Sequence, residues 1–304
     1  MTGQLREVLS HSSDFIIGKE DKIKLALTCI LAKGHLLIED IPGVGKTTMV
    51  KYLSRTLGLE MGRIQFTNDL LPSDILGVHI FDSGKGEFTF KKGPIFSQMI
   101  LADELNRATP KTQSALLQVM EEYHVTLDGE NYQLDAPFFV VATQNPNEQV
   151  GTNLLPEGQM DRFLMRLHLG IPERADELNL LRGEKIQNKL EEITPLLSPD
   201  EIMKHQEEVE KVFASDSLLN YIIDILSHTR VKEQLTSLSP RAGLDITRAA
   251  KSWAYLDGRD HVIPEDVQLV TPSVIGHRIT PHHRGAIDYG QQLTQELIKE
   301  IEVR

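Results

Sequence analysis

The 304-residue sequence contains one cysteine, Cys29, so no internal disulfide can form and no thiolate zinc cluster can assemble. No apolar run approaches the roughly 18 residues that a membrane-spanning helix requires. Residues 1–14 are polar and lack the apolar core of a secretory signal, which sets the expectation of a cytoplasmic location with no membrane partner. Positive charge is short as well: 32 Lys and Arg against 44 Asp and Glu leave a formal net charge of −12. A general nucleic-acid binder shows the opposite balance, although a local basic patch stays open. There is no low-complexity tract and no internal repeat. The composition, 40% hydrophobic and 25% charged, is that of an ordinary globular chain. Cys29 falls on the apolar face formed by Ile23, Ala26, Leu27, Ile30 and Leu31, which predicts a buried or half-buried helix residue.

A chain of this length is expected to form two domains, or one with a sizeable appendage. From about 35 to 170, short apolar runs alternate with helical patterns, the signature of a parallel α/β sheet. The candidate strands are 35–39, 62–66, 98–102, 138–142 and 165–169, and their unbroken apolar character predicts burial on both faces. Two segments interrupt the alternation and read as inserted β-hairpins: 77–90, and 122–134 with its turn at Asp128-Gly129. Between them Thr109 is placed to cap a helix that opens with Pro110. After about 190 the strand signal stops. Ser198 and Glu201 form a capping box, Leu218, Tyr221, Ile222, Ile225 and Leu226 make a core-facing stripe, and further helices are expected at 241–257, 264–270 and 281–302. The expected division is therefore 1–190 for the α/β domain and 191–304 for a helical one.

The apolar run 35–39 leads into Pro42-Gly43-Val44-Gly45-Lys46-Thr47-Thr48. A strand entering a glycine-rich turn and then Lys-Thr is a phosphate-binding loop. Its backbone N–H groups close around phosphate oxygens, and the following helix adds the positive end of its dipole. Lys46 would reach the β- and γ-phosphates and the Thr47 hydroxyl would sit on Mg²⁺. One position departs from the strict motif, which asks for glycine where this chain has Asp40. The second signal is the strand 99–104, which ends in Asp103-Glu104. An isolated Asp-Glu is a solvated strand end. Downstream of a phosphate loop it is the acidic pair of ATP hydrolysis, with Asp103 holding the metal sphere and Glu104 polarising the attacking water. The strand 138–142 then runs into Thr143-Gln144-Asn145, whose amide would reach the γ-phosphate or the lytic water.

Taken in this order, these motifs resemble those of AAA+ ATPases. Longer stretches are similar to the MoxR family: 39–47, 66–75, 101–108, 111–117, 142–146 and 256–260. The resemblance spans nearly the whole chain. It implies an α/β AAA+ P-loop domain with a mainly parallel sheet and inserted hairpins, followed by a small helical lid, binding ATP and Mg²⁺. Position 40 is often not glycine in that family. The resemblance further implies that Asn145 is a sensor of the γ-phosphate and that Arg162 is an arginine finger acting on a neighbouring subunit, with Arg166 as a rival. It makes Arg241 the lid arginine that brings the helical domain onto the γ-phosphate, and Ile17 and Gly18 part of the adenine contact. Partners implied are five further copies in a homo-hexamer and protein clients, including proteins with von Willebrand factor A domains, in metal or cofactor insertion or complex assembly.

Two other functional classes stay open at this stage. One is a nucleic-acid motor, disfavoured because the hairpin segments mix Lys85, Lys91 and Lys92 with Asp82, Glu87, Glu122, Asp128 and Glu130. The other is a nucleotide-gated scaffold, disfavoured because Lys46, Asp103 and Glu104 are all present. His277, His282 and His283 cluster without a carboxylate or cysteine at ligand spacing, so they read as solvated or hydrogen-bonded histidines and not as a metal site.

Overall fold

Apolar runs buried on both faces need a sheet with helices above and below it, and the chain builds one. In a computed structural model the described residues are 3–16, 18–84, 86–145, 152–153, 155–171, 174, 177–178, 190–232, 235–279 and 289–302. Five strands, β1 (Leu36–Glu39), β2 (Met61–Gln65), β5 (Met99–Asp103), β8 (Phe139–Gln144) and β9 (Met165–Leu167), form one sheet in the order β2-β5-β8-β1-β9. Every pairing in it is parallel. The three central strands β5, β8 and β1 are buried almost throughout, whereas the edge strand β2 alternates buried and exposed residues. Because β1 lies between β8 and β9 while β2 pairs at the far edge, a crevice opens at the carboxyl ends of the central strands, where open α/β sheets bind ligands.

Helices α1 (Gly3–His11), α2 (Glu20–Leu31), α3 (Lys46–Thr56), α4 (Pro72–Leu76), α5 (Pro110–Glu122) and α6 (Glu157–Met160) accompany the sheet. The first of these was not expected from the polar composition of residues 1–14. Two of its apolar residues, Leu5 and Val8, are fully buried, Leu9 packs against the same core, and the Val8 carbonyl accepts the Tyr52 hydroxyl. In α5, Thr109 Oγ1 accepts from the Thr112 N–H at 3.4 Å, and Pro110 occupies the first turn. Cys29 is fully buried, and burial pushes its thiol pKa far up, so it stays protonated and inert.

The two inserted hairpins are β3 (Gly77–Asp82) with β4 (Glu87–Lys92), and β6 (His124–Leu127) with β7 (Glu130–Gln133). Asp128 and Gly129 both have positive φ (51° and 86°), the backbone that a two-residue hairpin turn requires. The hairpins form one arm. Phe90 of β4 stacks on Tyr132 of β7 with ring centroids 4.1 Å apart. His79 of β3 bridges to β7 and its turn through Nδ1 to Asp128 Oδ2 at 2.7 Å and Nε2 to the Tyr132 hydroxyl at 3.1 Å.

The helical part comprises α7 (Pro199–Lys211), α8 (Asp216–Val231), α9 (Pro240–Leu256), α10 (Pro264–Ile275) and α11 (Tyr289–Glu300). The Ser198–Glu201 capping box forms in both directions. Helix α10 runs five residues past its expected end and passes through Pro272. Proline removes one helical hydrogen bond, but Val274 and Ile275 beyond it are fully buried, and that burial outweighs the loss. The helical part does not stand apart from the sheet layer. Trp253 and Ile246 of α9 join Leu27 and Ile30 of α2 in one hydrophobic core. The Ser252 hydroxyl donates to Thr28 O at 2.9 Å and Gln206 Nε2 to Ile30 O at 2.8 Å. His277, expected to be solvated or hydrogen-bonded, is buried with Nε2 against the Phe163 carbonyl, while His282 and His283 lie outside the described residues. Among the described residues no cluster of His, Cys, Asp or Glu is arranged to hold a metal, and no helix is long and apolar enough to cross a membrane.

Candidate active site

The segment 40–48 links β1 to α3. Gly43 and Gly45 adopt φ of 89° and 99°, a region that side chains penalise, and a Cβ added at either would point into open space. No side chain caps the start of the eleven-residue helix α3. Its first-turn N–H groups, beside Lys46, Thr47 and Thr48, are therefore available to an anion, and the helix dipole favours one. Lys46 Nζ donates to the Asp40 carbonyl at 2.7 Å. Burial draws its pKa below the ordinary lysine value, while the charges of Asp40, Asp103 and Glu104 oppose that shift. Those three carboxylates therefore lie close enough to act on the ammonium.

Asp40 explains its own departure from the motif. It is buried, and its Oδ2 accepts the N–H groups of Leu169 at 2.8 Å and Gly170 at 2.7 Å, while Oδ1 accepts from Ile41 at 3.0 Å. The carboxylate thus fastens the root of the phosphate loop to the turn that follows β9. Lys19 donates to the Ile171 carbonyl at 3.3 Å in the same turn, which brings neighbouring Gly18 to this end of the sheet. Ile17 lies outside the described residues. Asp40→Gly, which restores the strict glycine pattern, is expected to lower stability by about 2 kcal/mol by leaving buried N–H groups unpaired. It should also weaken nucleotide binding. Denaturant unfolding and nucleotide titration check this, and a glycine variant as stable as the parent would remove Asp40 from this role.

The acidic pair stands across from the loop, at the end of β5. Asp103 pairs in register with Gln65 of β2, and the residue before it, Ala102, pairs with Ala142 of β8. That register lays Thr143 alongside. The Thr143 hydroxyl donates to Asp103 Oδ1 at 2.7 Å and accepts the Glu104 N–H at 3.0 Å, so one hydroxyl braces both acids. Glu104 has φ of 59°, an uncommon left-handed conformation for a residue other than glycine, and such outliers concentrate at functional sites. Its Oε2 accepts from Gln65 Nε2 at 2.8 Å and faces Arg107 Nε at 3.3 Å. Asp103 Oδ2 accepts from Arg63 Nη2 at 2.7 Å. Asn145 is buried just beyond β8, at the same end of the sheet. The Thr47 hydroxyl and the Asp103 carboxylate are hard oxygen donors, the set that fits Mg²⁺. Arg63, Gln65, Thr143 and Arg107 were not singled out from the sequence. The only sign of the first two is the period-2 pattern of β2, which puts residues 63 and 65 on one face.

The arginines implicated by resemblance are elsewhere. Arg162 precedes β9 and makes a salt bridge to Glu121 in the last turn of α5. Arg241, in the first turn of α9, lies 4.0 Å from the same Glu121 and 3.7 Å from Asp161. This locale is the amino-terminal end of the sheet: Leu164 N–H donates to His35 O at 2.9 Å, and Leu36 opens β1. At about 3.3 Å per residue, β1 alone sets roughly 13 Å between it and the phosphate loop. The expectation that the lid brings Arg241 onto the γ-phosphate therefore fails within one chain, because α9 seats this arginine at the wrong end of the strands. Arg166 points the other way. It lies within β9, largely buried, with Nη1 3.1 Å from Glu39 Oε2. It is committed inside the chain, which leaves Arg162 as the arginine at the edge.

His35 seats this end. It is buried; Val140 N–H donates to Nδ1 at 3.1 Å, and Nε2–H donates to Met120 O at 3.0 Å, next to Glu121. That pairing requires the neutral ring, and burial lowers its pKa to about 4, assisted by the charge of Arg248. The folded value is below the unfolded one, so this stability is present above pH about 6.5 and is lost as pH falls towards 4. Between pH 7.5 and pH 5 the chain should lose about 2 kcal/mol of stability through His35, with buried His277 shifting in the same direction. A flat unfolding profile over that window would contradict a neutral buried His35.

Comparison with known proteins fits this geometry. Residues 35–165 match the ATPase family associated with various cellular activities (AAA), and residues 228–301 match the AAA lid domain. The chain is 42% identical to YeaC of Bacillus subtilis, over 98% of this chain and 94% of that protein. It is 40% identical to Chaperone MoxR1 of Mycobacterium tuberculosis, over 90% and 75% respectively. A crystal structure from Cytophaga hutchinsonii, described as a candidate ATPase, superposes with a TM-score of 0.87 at 36% identity, covering 99% of this chain and 95% of that one. With the phosphate loop, the acidic pair and the lid all in place, the chain belongs to the MoxR family of AAA+ ATPases.

Proposed function

We propose that the chain hydrolyses ATP with Mg²⁺ at a site completed by a second copy of itself, as the motor of a chaperone-like ring. The observation that carries this reading is the separation of the two halves of the site. Lys46, Asp103, Glu104 and Asn145 gather at the carboxyl end of the sheet, while Arg162 and Arg241 share Glu121 at the amino-terminal end. A face carrying phosphate ligands and an opposite face carrying paired arginines make a head-to-tail contact, which closes as a ring; a hexamer is the closed form proposed.

Within each site the loop N–H groups and Lys46 bind the phosphates. Thr47 and Asp103 would hold Mg²⁺, whose charge would offset that of the bound phosphates. Glu104, held by Gln65, orients and deprotonates the attacking water, and Asn145 fixes its approach. Arg162 and Arg241 of the neighbour stabilise charge that develops in the transition state.

The client side rests on the arm. Phe81 and Phe88 face each other near the tip of the first hairpin and are 55% and 70% exposed, and Val78 and Ile80 are exposed on the other face of the same ribbon. An exposed apolar patch of that kind suits contact with another protein. Together with 40% identity to a protein named as a chaperone, it supports remodelling or maturation of client proteins, including metal or cofactor insertion and partners with von Willebrand factor A domains. The second hairpin does not favour a nucleic-acid track: Asp128 and Glu130 are bound to His79 and Tyr132 and present no cations. The test is ATP turnover measured against protein concentration with sizing alongside. Specific activity should rise as subunits assemble. Full activity in a strict monomer would overturn the reading.

A further inference from the structure

Resting on that shared-site reading, we infer that Arg278 is a positioning residue for the arginines offered to the neighbouring subunit. It lies just past the end of α10 and is 7% exposed. A buried guanidinium is costly unless it is paired, and the choice of partners says what it is holding. Its Nε lies 3.1 Å from Asp161 Oδ1. Its Nη2 lies 2.7 Å from Asp245 Oδ2 and donates to the Phe163 carbonyl at 3.1 Å. Asp161 and Phe163 are the residues immediately before and after Arg162. Asp245 is one turn along α9 from Arg241, and Asp161 Oδ2 faces Arg241 directly at 3.7 Å. One guanidinium therefore sits against both flanks of Arg162 and the helix that carries Arg241, with Nη2 supplying the hydrogen bonds and Nε facing the Asp161 carboxylate as a charge contact.

Neighbouring groups reinforce this reading. His277 Nε2 donates to the same Phe163 carbonyl at 3.2 Å, so two consecutive residues of the lid clamp one backbone oxygen. Asp245 is buried and is shared with Arg248, while Glu121 is shared by Arg162 and Arg241. A salt bridge serving packing alone would join two elements. This one ties the lid to a turn that contributes nothing to the chain's own nucleotide loop. The consequence is mechanical: when the lid shifts, Arg162 and Arg241 move as a unit relative to the neighbour. Arg162 and Arg241 are the catalytic residues here; Arg278 acts through them.

The test uses full-length protein and three variants: Arg278→Gln, Arg278→Lys and Asp161→Asn. A lysine keeps the charge but has one terminal nitrogen, which cannot meet Asp245 and the Phe163 carbonyl as Nη2 does while also facing Asp161 as Nε does. Arg278→Gln is expected to lower kcat for ATP by about 10²-fold, the cost of misplacing a catalytic group by about 1 Å, with KM little changed because the variant's own phosphate loop is intact. Arg278→Lys should recover only part of the loss. Rings containing both Arg278→Gln and Glu104→Gln subunits should regain turnover, because the second subunit presents an undisturbed Arg162 and Arg241 to the first one's nucleotide. Loss of packing alone would not be repaired in this way. If Arg278→Gln fails to fold, Arg278→Lys decides, since it keeps a positive charge in the buried position and carries a smaller kcat loss with the same recovery in the mixture; Asp161→Asn, which also loses its direct contact with Arg241, should lose kcat and recover likewise. Wild-type kcat in either folded variant overturns the inference. So does a mixture that stays silent while Arg162→Ala mixed with Glu104→Gln is active. If that control mixture is itself silent, the shared-site reading fails and takes the role of Arg278 with it.

Discussion

Glu104→Gln is expected to lower ATP turnover by about 10²- to 10⁴-fold while leaving nucleotide binding in place. The amide keeps the size of the side chain and can still meet Gln65 and Arg107, so the local structure has little reason to change. It cannot take a proton. Every other feature around Glu104 bears on where its carboxylate points. The left-handed backbone turns it out of the strand direction, and its N–H is tied to the same Thr143 hydroxyl that braces Asp103. A rotamer held from three sides is what a base aimed at one water requires. The check is steady-state phosphate release together with nucleotide affinity. Unchanged turnover would remove Glu104 from the chemistry; lost binding would mean that the residue builds the pocket instead.

Arg162→Ala should lower turnover in the assembled protein by about 10³-fold or more, in line with what trans arginines contribute in related phosphoryl-transfer enzymes. Affinity for ATP in the isolated subunit should hardly move, because the phosphate loop lies at the other end of the strands. Stability should hardly move either: the pair with Glu121 is partly solvent-exposed, and such pairs contribute roughly 0–1 kcal/mol. Arg166→Ala gives the contrasting outcome. It leaves Glu39 largely buried and unpaired beneath the phosphate loop, so it should cost stability first and turnover only as a consequence. Equal losses of kcat in both variants with unchanged melting would mean that the two roles have been wrongly separated.

The motifs written along the chain were legible because they are local. Glycines followed by Lys46-Thr47, an apolar strand ending in Asp103-Glu104, and Asp128-Gly129 between two short strands each specify a backbone shape within a few residues. The sheet was legible for the same reason, as β1, β5 and β8 are buried on both faces and therefore apolar throughout. What stayed hidden depends on register and on distance. Thr143 braces the acids because β8 pairs with β5 at one offset and not the next. Gln65 reaches Glu104 because β2, remote in sequence, lies on the far side of β5. Asp40 reads as a flaw until the turn at Leu169 and Gly170 is seen to need its carboxylate. Arg241 was singled out by resemblance, but the end of the sheet at which it sits is set by where α9 packs, and no local pattern encodes that.

The measurement that bears most directly on a site shared between subunits is turnover by a mixture of two inactive proteins. Arg162→Ala supplies an intact Lys46, Asp103 and Glu104; Glu104→Gln supplies an intact Arg162. Combined in mixed rings, they should recover a substantial fraction of wild-type ATP turnover, rising to a maximum near equal proportions. If the mixture shows only the sum of its two inactive components, at concentrations where the rings are assembled, then each chain completes its own site and the arginines at the far end of the sheet have another purpose.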